Sequence, residues 1–397
     1  MLVTKLFFPI VLFQTCFVNG KKSQAEIVYG DLFADYNKNI LPQEERSVPV
    51  NVSMTFLLFG IREFDELTGK FSVMAAFYLT WTDFRLKWNA SLYNNTDVLV
   101  ISESSNIWTP NPVIANPYDS MKGFVNNMFP VTLNNQGKII WVPGDIISSV
   151  CDVDVTHYPF DVQICELDFV CWGYSSYSLV LHSPTKELPL THYSKHGEWR
   201  LVNTTTKSTN DGISSVSVKI AMRRRPMFVV LNLILPVVCM TVLNLLVFVL
   251  PVESGERVSY SITVLLAIAV FFTLVGENLP KTSFRTAIVS YFLFSYLIIS
   301  TVICAFVILS SSLYYADAKR PVPKLLLRVQ EKLRSRKSHR ERKYALKEKS
   351  DDVLSDDEDI LTWKILSRWF DNFALGICVI AIAASITVLF IIVPREQ

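Results

Sequence analysis

The chain has 397 residues, enough for two or three domains. Half of it is hydrophobic and its mean hydropathy is positive, which sets it apart from an ordinary soluble globule and points to a membrane protein. The formal net charge of +2 singles out no partner, and no nucleic acid is expected.

The N-terminus carries Lys5, then the apolar run Leu6 to Phe17, then Val18-Asn19-Gly20 before Lys21. This order predicts a secretory signal over residues 1–20, too short to span a bilayer. Export permits disulfides downstream. Cys151, Cys165 and Cys171 lie in the exported part, so one pair plus one free thiol is the simplest count. Cys239, Cys304 and Cys378 lie in apolar runs and read as small packing residues.

Residues 21–225 are polar, alternating and rich in turns. Asn51 to Phe59, Lys70 to Lys87, Lys138 to Val142, Ser178 to His182 and Ser215 to Met222 alternate with period two and predict strands. Asn134-Asn135-Gln136-Gly137 and Pro143-Gly144 are turn signals between them. A short helix is expected near residues 23–38, and the remainder predicts an antiparallel β-sandwich. Sequons at Asn51, Asn89, Asn94 and Asn203 are glycosylation candidates, and none falls in the expected cytoplasmic part. Cys151 and Cys165 bracket a segment with Tyr158-Pro159-Phe160-Asp161 at its tip. His157 alone is not a zinc set, so a small closed loop that packs onto a membrane domain is the better reading. A cis peptide is expected at Pro159, after an aromatic.

Four apolar runs follow: Met227 to Leu250 with Pro236 inside it, Glu256 to Glu277, Thr286 to Ser312, and Phe373 to Val393. An exported N-terminus and four spans return the C-terminus to the outside. The loop between the third and fourth runs is then cytoplasmic, and residues 319–349 hold thirteen Lys and Arg against three Glu. Residues 323–333 place Leu325, Leu326, Val329 and Leu333 opposite Lys324, Arg328 and Lys332. Two readings stay open there: a helix on the inner membrane surface, and a solvated basic tether. Residues 351–359 are acidic, and a helix is expected from Ile360 into the fourth run, with Trp363 and Trp369 near the interface.

The second run carries a pattern of its own. Ser259, Thr263, Leu266, Val270, Thr273 and Glu277 are spaced +4, +3, +4, +3, +4, which sets all six on one helical face. Ile262, Leu265, Phe271, Phe272 and Leu274 fall elsewhere, and Glu256 and Glu277 close the two ends. A helix lined this way suits a water-filled path. The alternative is a packing helix whose hydroxyls bond back to its own carbonyls. The sequence shows no nucleophile–base set, phosphate loop or metal spacing, so neither an enzyme, a cofactor nor a metal site is expected; His157, His182, His192 and His196 read as ordinary loop residues.

Three features occur in a fixed order: the Cys151 to Cys165 interval with its Tyr-Pro-Phe-Asp tip, Arg223-Arg224-Arg225-Pro226 before the first run, and the striped second run. Together they resemble a subunit of the Cys-loop, or pentameric ligand-gated, ion channels. Trp81-Thr82-Asp83, Trp108-Thr109-Pro110-Asn111 and Gly255-Glu256-Arg257 through Pro280 are most similar to the nicotinic acetylcholine receptor branch. The resemblance implies a sandwich plus a four-helix transmembrane domain, in a cell membrane and postsynaptic in the usual case. It implies four further identical or homologous subunits around an axis, each giving its second helix to the pore. Ser259 and Thr263 would form hydroxyl rings, Leu266 and Val270 an apolar gate, and Glu256 and Glu277 carboxylate rings.

Glu253-Ser254-Gly255-Glu256 stands where anion-selective relatives carry Pro-Ala-Arg, which implies cation selectivity: sodium, potassium, and calcium as a candidate. Arg257 is expected to face the cytoplasm or a neighbouring Glu256 rather than the ion path. For coupling between the halves the resemblance implies Arg224 with Glu63 and Asp161, and Pro280 in the loop after the second run against Tyr158 and Phe160. The ligand site departs from the family. Trp172 and Tyr174 are present, but the other aromatic positions fall on Ala76, beside Phe77, and Ala115, three residues before Tyr118. The hairpin Val202 to Ser215 is short and lacks tyrosines and cysteines. The small-molecule agonist is therefore open among an amphiphile, a proton and a small amine. An accessory subunit, silent except in heteromers, is the alternative.

Overall fold

The computed structural model describes residues 22–123, 128–277, 286–316 and 363–392. The expected signal, Pro280, the basic segment 319–349 with its amphipathic stretch, and the acidic segment 351–359 lie outside these residues. α1 (Gln24–Phe33) comes first, held by a capping box: the Ser23 hydroxyl accepts from the Glu26 amide at 3.2 Å, and the Glu26 carboxylate accepts from the Ser23 amide at 2.8 Å.

Two sheets follow. The larger contains β1 (Val50–Asp65), β2 (Lys70–Lys87), β3 (Val98–Ile101), β5 (Val131–Asn134), β6 (Gln136–Trp141), β7 (Gly144–Val150) and β9 (Leu179–His182). Its order is β3-β5-β6-β2-β1-β9, with β7 also on β2. The smaller runs β10 (Trp199–Asp211), β11 (Ile213–Arg224), β8 (Val162–Val170), β4 (Val113–Ile114). The named strand pairs are antiparallel except β1 with β9, which run parallel. On β2, Phe71, Val73, Ala75, Phe77, Leu79 and Trp81 are buried while Met74, Tyr78 and Thr82 face out, the alternation a half-buried strand needs. With Phe56, Trp141, Phe169 and Trp199 they fill a core between the sheets. Cys151, just past β7, is bonded to Cys165 in β8. The disulfide therefore closes the loop as expected and also ties one sheet to the other. Cys171 is the remaining thiol of the three in the sandwich half and is buried.

Four helices are long and apolar enough to cross a membrane: Met227–Phe248, Arg257–Glu277, Ile288–Tyr314 and Trp363–Val388, the last continuing to Ile392. In the first, Pro236 follows a π-helical turn, Val230–Ile234, the local rearrangement expected where a proline removes an amide donor. Hydroxyl and amide side chains join the helices. Asn244 donates to Ser300 at 2.8 Å, Ser310 and Ser367 are paired at 3.0 Å, and Ser295 and Ser385 at 3.0 Å.

The Cys151–Cys165 loop rests on top of this bundle. Val155 is buried there with Val237, Val275, Ala287 and Phe292, and Tyr158 packs against the same cluster. The Ile288 amide donates to the Thr156 carbonyl at 2.9 Å. The Tyr158–Pro159 peptide is cis, as expected.

Candidate pore helix, junction and ligand face

The second long helix, Arg257–Glu277, presents two opposed stripes. Ser259, Thr263, Leu266, Val270, Thr273 and Glu277 are all exposed, as is Glu256 just before it. Leu266 is 62% exposed, a large apolar side chain left uncovered by its own chain. Arg257, Ser261, Ile268 and Val275 are buried on the other side. At 100° per residue the two sets lie about half a turn apart. The Thr263 hydroxyl donates to the Ser259 carbonyl at 2.9 Å and that of Thr273 to Val270 at 2.7 Å. Both features weighed from the sequence thus coexist: the hydroxyls bond back to the helix, yet their residues face outward. Donating the hydrogen leaves the oxygen as acceptor, the polarity that suits a passing cation.

Arg257 corrects an expectation. It turns neither to the cytoplasm nor to Glu256. It is 2% exposed, with Nη1 donating to Asp371 of the fourth helix at 3.0 Å and Nε donating to the Val247 carbonyl at 3.1 Å. The +4, +7, +7 spacing of Arg257 with Ser261, Ile268 and Val275 puts it on the packed stripe, not the exposed one.

At the junction of sandwich and helices, Arg224 is the centre. Its Nε donates to Asp161 Oδ1 at 2.8 Å, and Nη2 lies 3.1 Å from Asp161 Oδ2 and 2.6 Å from Glu66. Its guanidinium stacks over Trp199 at 4.3 Å and Tyr158 at 4.8 Å. Burial pulls the Arg224 pKa down, but the hydrogen bonds and charges of Asp161 and Glu66 outweigh it and raise the value. Burial raises that of Tyr158, with Glu66 and Asp161 adding to it against Arg224. A cavity of about 420 Å³ lies at the same level, with Glu66, Tyr158 and Arg224 among its polar walls and Phe228, Phe271 and Leu274 among its apolar ones.

The expected partner Glu63 is replaced by Glu66. Register shifts in β1, between Leu58 and Gly60 and between Ile61 and Glu63, set Glu63 opposite Ser72, where it pairs with Lys70 at 3.1 Å. Glu66 lies beyond the strand, in the turn that reaches Arg224. Phe160 stays 38% exposed and is no part of the cluster that holds Tyr158.

At the ligand face, Trp172 is 62% exposed, which rules out core packing for it. Tyr174 stands edge-on to Trp108 at 6.4 Å, and Trp108 edge-on to Trp81 at 6.1 Å. Phe77 has no exposure and is wedged against Phe56 and Phe169, so it cannot touch a ligand at the surface. The alternation of β2 turns it inward and Tyr78 outward. Tyr118 lies under the Lys70 ammonium at 5.7 Å, the same lysine that pairs with Glu63. Tyr177, 82% exposed, is an aromatic the sequence reading passed over. The β10–β11 hairpin is paired to its tip, Asp211 with Ile213, around Gly212 at φ +74°. The Gly212 carbonyl accepts from the Ser176 amide at 3.0 Å, which fastens the tip to the loop that carries Trp172 and Tyr177. Burial pushes the Cys171 thiol up to about 12. Asn51, Asn89, Asn94 and Asn203 are all exposed.

Comparison with known proteins agrees with this architecture. The family model "Neurotransmitter-gated ion-channel ligand binding domain" matches residues 25–226, and "Neurotransmitter-gated ion-channel transmembrane region" matches residues 233–368. The chain is 32% identical over 302 residues to "Acetylcholine receptor subunit alpha-type acr-16" of Caenorhabditis elegans, covering 74% of this chain and 60% of that protein. It is 29% identical over 316 residues to "Acetylcholine receptor subunit beta-type unc-29" of the same organism (79% and 63%) and 30% identical over 308 residues to the mouse "Neuronal acetylcholine receptor subunit alpha-6" (75% and 62%). The chain thus spans about three fifths of the length of these curated relatives. The matched family is one of ion channels, not enzymes. With a sandwich over four membrane-spanning helices and both family models along its length, the chain is a multi-pass membrane protein and belongs to the neurotransmitter-gated ion-channel family.

Proposed function

We propose that this chain is a subunit of a ligand-gated, cation-selective channel, with five subunits lining one pore by their second helices. The observation that carries the reading is the pair of opposed stripes on that helix: Glu256, Ser259, Thr263, Leu266, Val270, Thr273 and Glu277 outward, Arg257, Ser261, Ile268 and Val275 packed inward. Five copies of the outward stripe make hydroxyl rings, an apolar constriction at Leu266 and Val270 where water is expelled, and acidic rings that concentrate cations.

Residues 21–225 form the extracellular ligand-binding domain after a signal over 1–20. Residues 226–315 hold three spans, 316–371 the cytoplasmic segment, and 372–397 the fourth span with an outward C-terminus. Agonist binding between subunits, near Trp172, Tyr174 and Tyr177, shifts a closed-to-open equilibrium through Arg224, Asp161, Glu66 and Tyr158.

The chain expressed alone, with Leu266→Thr to weaken the gate, tests this. Spontaneous current reversing near the cation equilibrium potential is expected; one that tracks chloride contradicts it. One observation favours the accessory-subunit reading: the aromatic set around Trp172 is incomplete on this chain, with Phe77 inside the core and Tyr118 beneath Lys70. Surface-exposed assembled protein without current from the Leu266→Thr chain, and current on adding a relative, would favour it.

A further inference from the structure

One buried ion pair in the helix bundle lies outside the pore stripe and outside the junction. Arg257 is the first residue of the second helix and follows Glu256, the carboxylate at the inner mouth under the reading above. A free arginine there would reach its own or a neighbouring Glu256. Opposite charges a few ångströms apart interact strongly where water is scarce, so five such arginines would cancel much of the acidic ring.

Arg257 is instead drawn the other way and enclosed. Two acceptors hold it. Asp371, on the fourth helix and itself 8% exposed, takes Nη1 at 3.0 Å. Val247, in the last turn of the first helix, takes Nε at 3.1 Å with a carbonyl that the helix end leaves free. The contact to Asp371 is single: Arg257 Nη2 and Asp371 Oδ1 have no partner among the described residues. A paired fork would fix geometry; one contact in a closed site chiefly balances charge. Ionisable groups inside a membrane bundle are rare and costly unless paired, and they are functional by default.

We propose that Asp371 is a selectivity-determining residue, although it lies on the fourth helix: it holds the Arg257 charge inside the bundle and so leaves the Glu256 carboxylates unopposed. The proposal rests on the pore reading above. Replacing Asp371 by Asn frees the guanidinium to turn toward Glu256, the carboxylate next to it in the chain. Replacing both charges restores the mouth, because Arg257 never contributed to the ion path.

The experiment compares D371N and R257Q/D371N with the parent chain, all in the Leu266→Thr background, in sodium chloride. Surface protein, single-channel conductance and the sodium-to-chloride permeability ratio are read together. D371N is expected to lower conductance and ratio at least about twofold, and the double variant to return both to the parent values. D371N at the surface with unchanged permeation overturns the proposal, as does a double variant that conducts no better than D371N. Should D371N fail to reach the surface, the double variant decides, since it buries no charge. Parent-like permeation then supports the proposal, and lowered permeation overturns it. A parent that conducts chloride or nothing contradicts the pore reading and shows in the control. The pairing is then decided by melting of the purified full chain. Single variants below the parent with the double above both support it; additive losses overturn it.

Discussion

The guanidinium of Arg224 is sandwiched by Trp199 and Tyr158 and faces the carboxylates of Asp161 and Glu66, all within a shell where it is 8% exposed. A cation so placed is stable only while its partners remain, because a buried charge left alone keeps its desolvation cost. Arg224→Gln should therefore cost about 3–5 kcal/mol in unfolding of the solubilised chain, since it strands Asp161 at 1% side-chain exposure. A double-mutant cycle of Arg224 with Asp161 should give a coupling of about 1–3 kcal/mol, and one with Glu63 less than about 0.5. Equal coupling to Glu63 would contradict the contact with Glu66. Cys171 gives a second check. With its thiol pushed up to about 12 by burial, the group stays protonated, and so unreactive, at every pH well below that value. Peptide mapping after iodoacetamide treatment at pH 8 should find Cys171 unlabelled in the folded chain and labelled after denaturation. Labelling of the folded chain would show a looser strand end.

The second helix and the sandwich differ in how much of them the sequence reveals. Ser259 to Glu277 shows its outward face in the spacing alone, because one helix turns through a fixed angle per residue. The alternation of β2 marks both its ends, Lys70 and Lys87. β10 shows in the sequence only as the first arm of the Val202 to Ser215 hairpin and carries no alternation of its own, because Asn203-Thr204-Thr205-Thr206-Lys207 are polar throughout and it lies at a sheet edge with one neighbour. β8 was hidden for another reason: it begins inside the Cys151–Cys165 interval, although Cys165, Leu167 and Phe169 alternate as buried residues. Glu66 and Asp371 escape because long-range pairing carries no local pattern. Phe77 was misplaced by one pleat, since adjacent strand residues face opposite sides. Cysteine scanning checks the helix. Single cysteines at 259, 263, 266, 270 and 273 should react with a charged thiosulfonate in surface-expressed protein, and those at 261, 268 and 275 should not. Reaction at 268 or 275 equal to that at 266 would show that the helix is rotated.

Taken as one object, the protein sets a cross-braced sandwich on four helices through one loop. The Cys151–Cys165 disulfide joins the sheets, the loop it closes packs Val155 and Tyr158 on the helix tops, and Arg224 links that loop to the strand that leads into the first helix. Under the proposed function these packed groups are the route from the ligand face to the second helix, and Val275 of that helix shares a cluster with Val155. The direct test of a cation-selective pore built on the second helix is the reversal potential of the Leu266→Thr chain when external sodium chloride is diluted with an uncharged osmolyte. The account predicts a shift to more negative potentials, following sodium, and a weaker selectivity when Glu256→Gln is added. A shift to more positive potentials, following chloride, would contradict it.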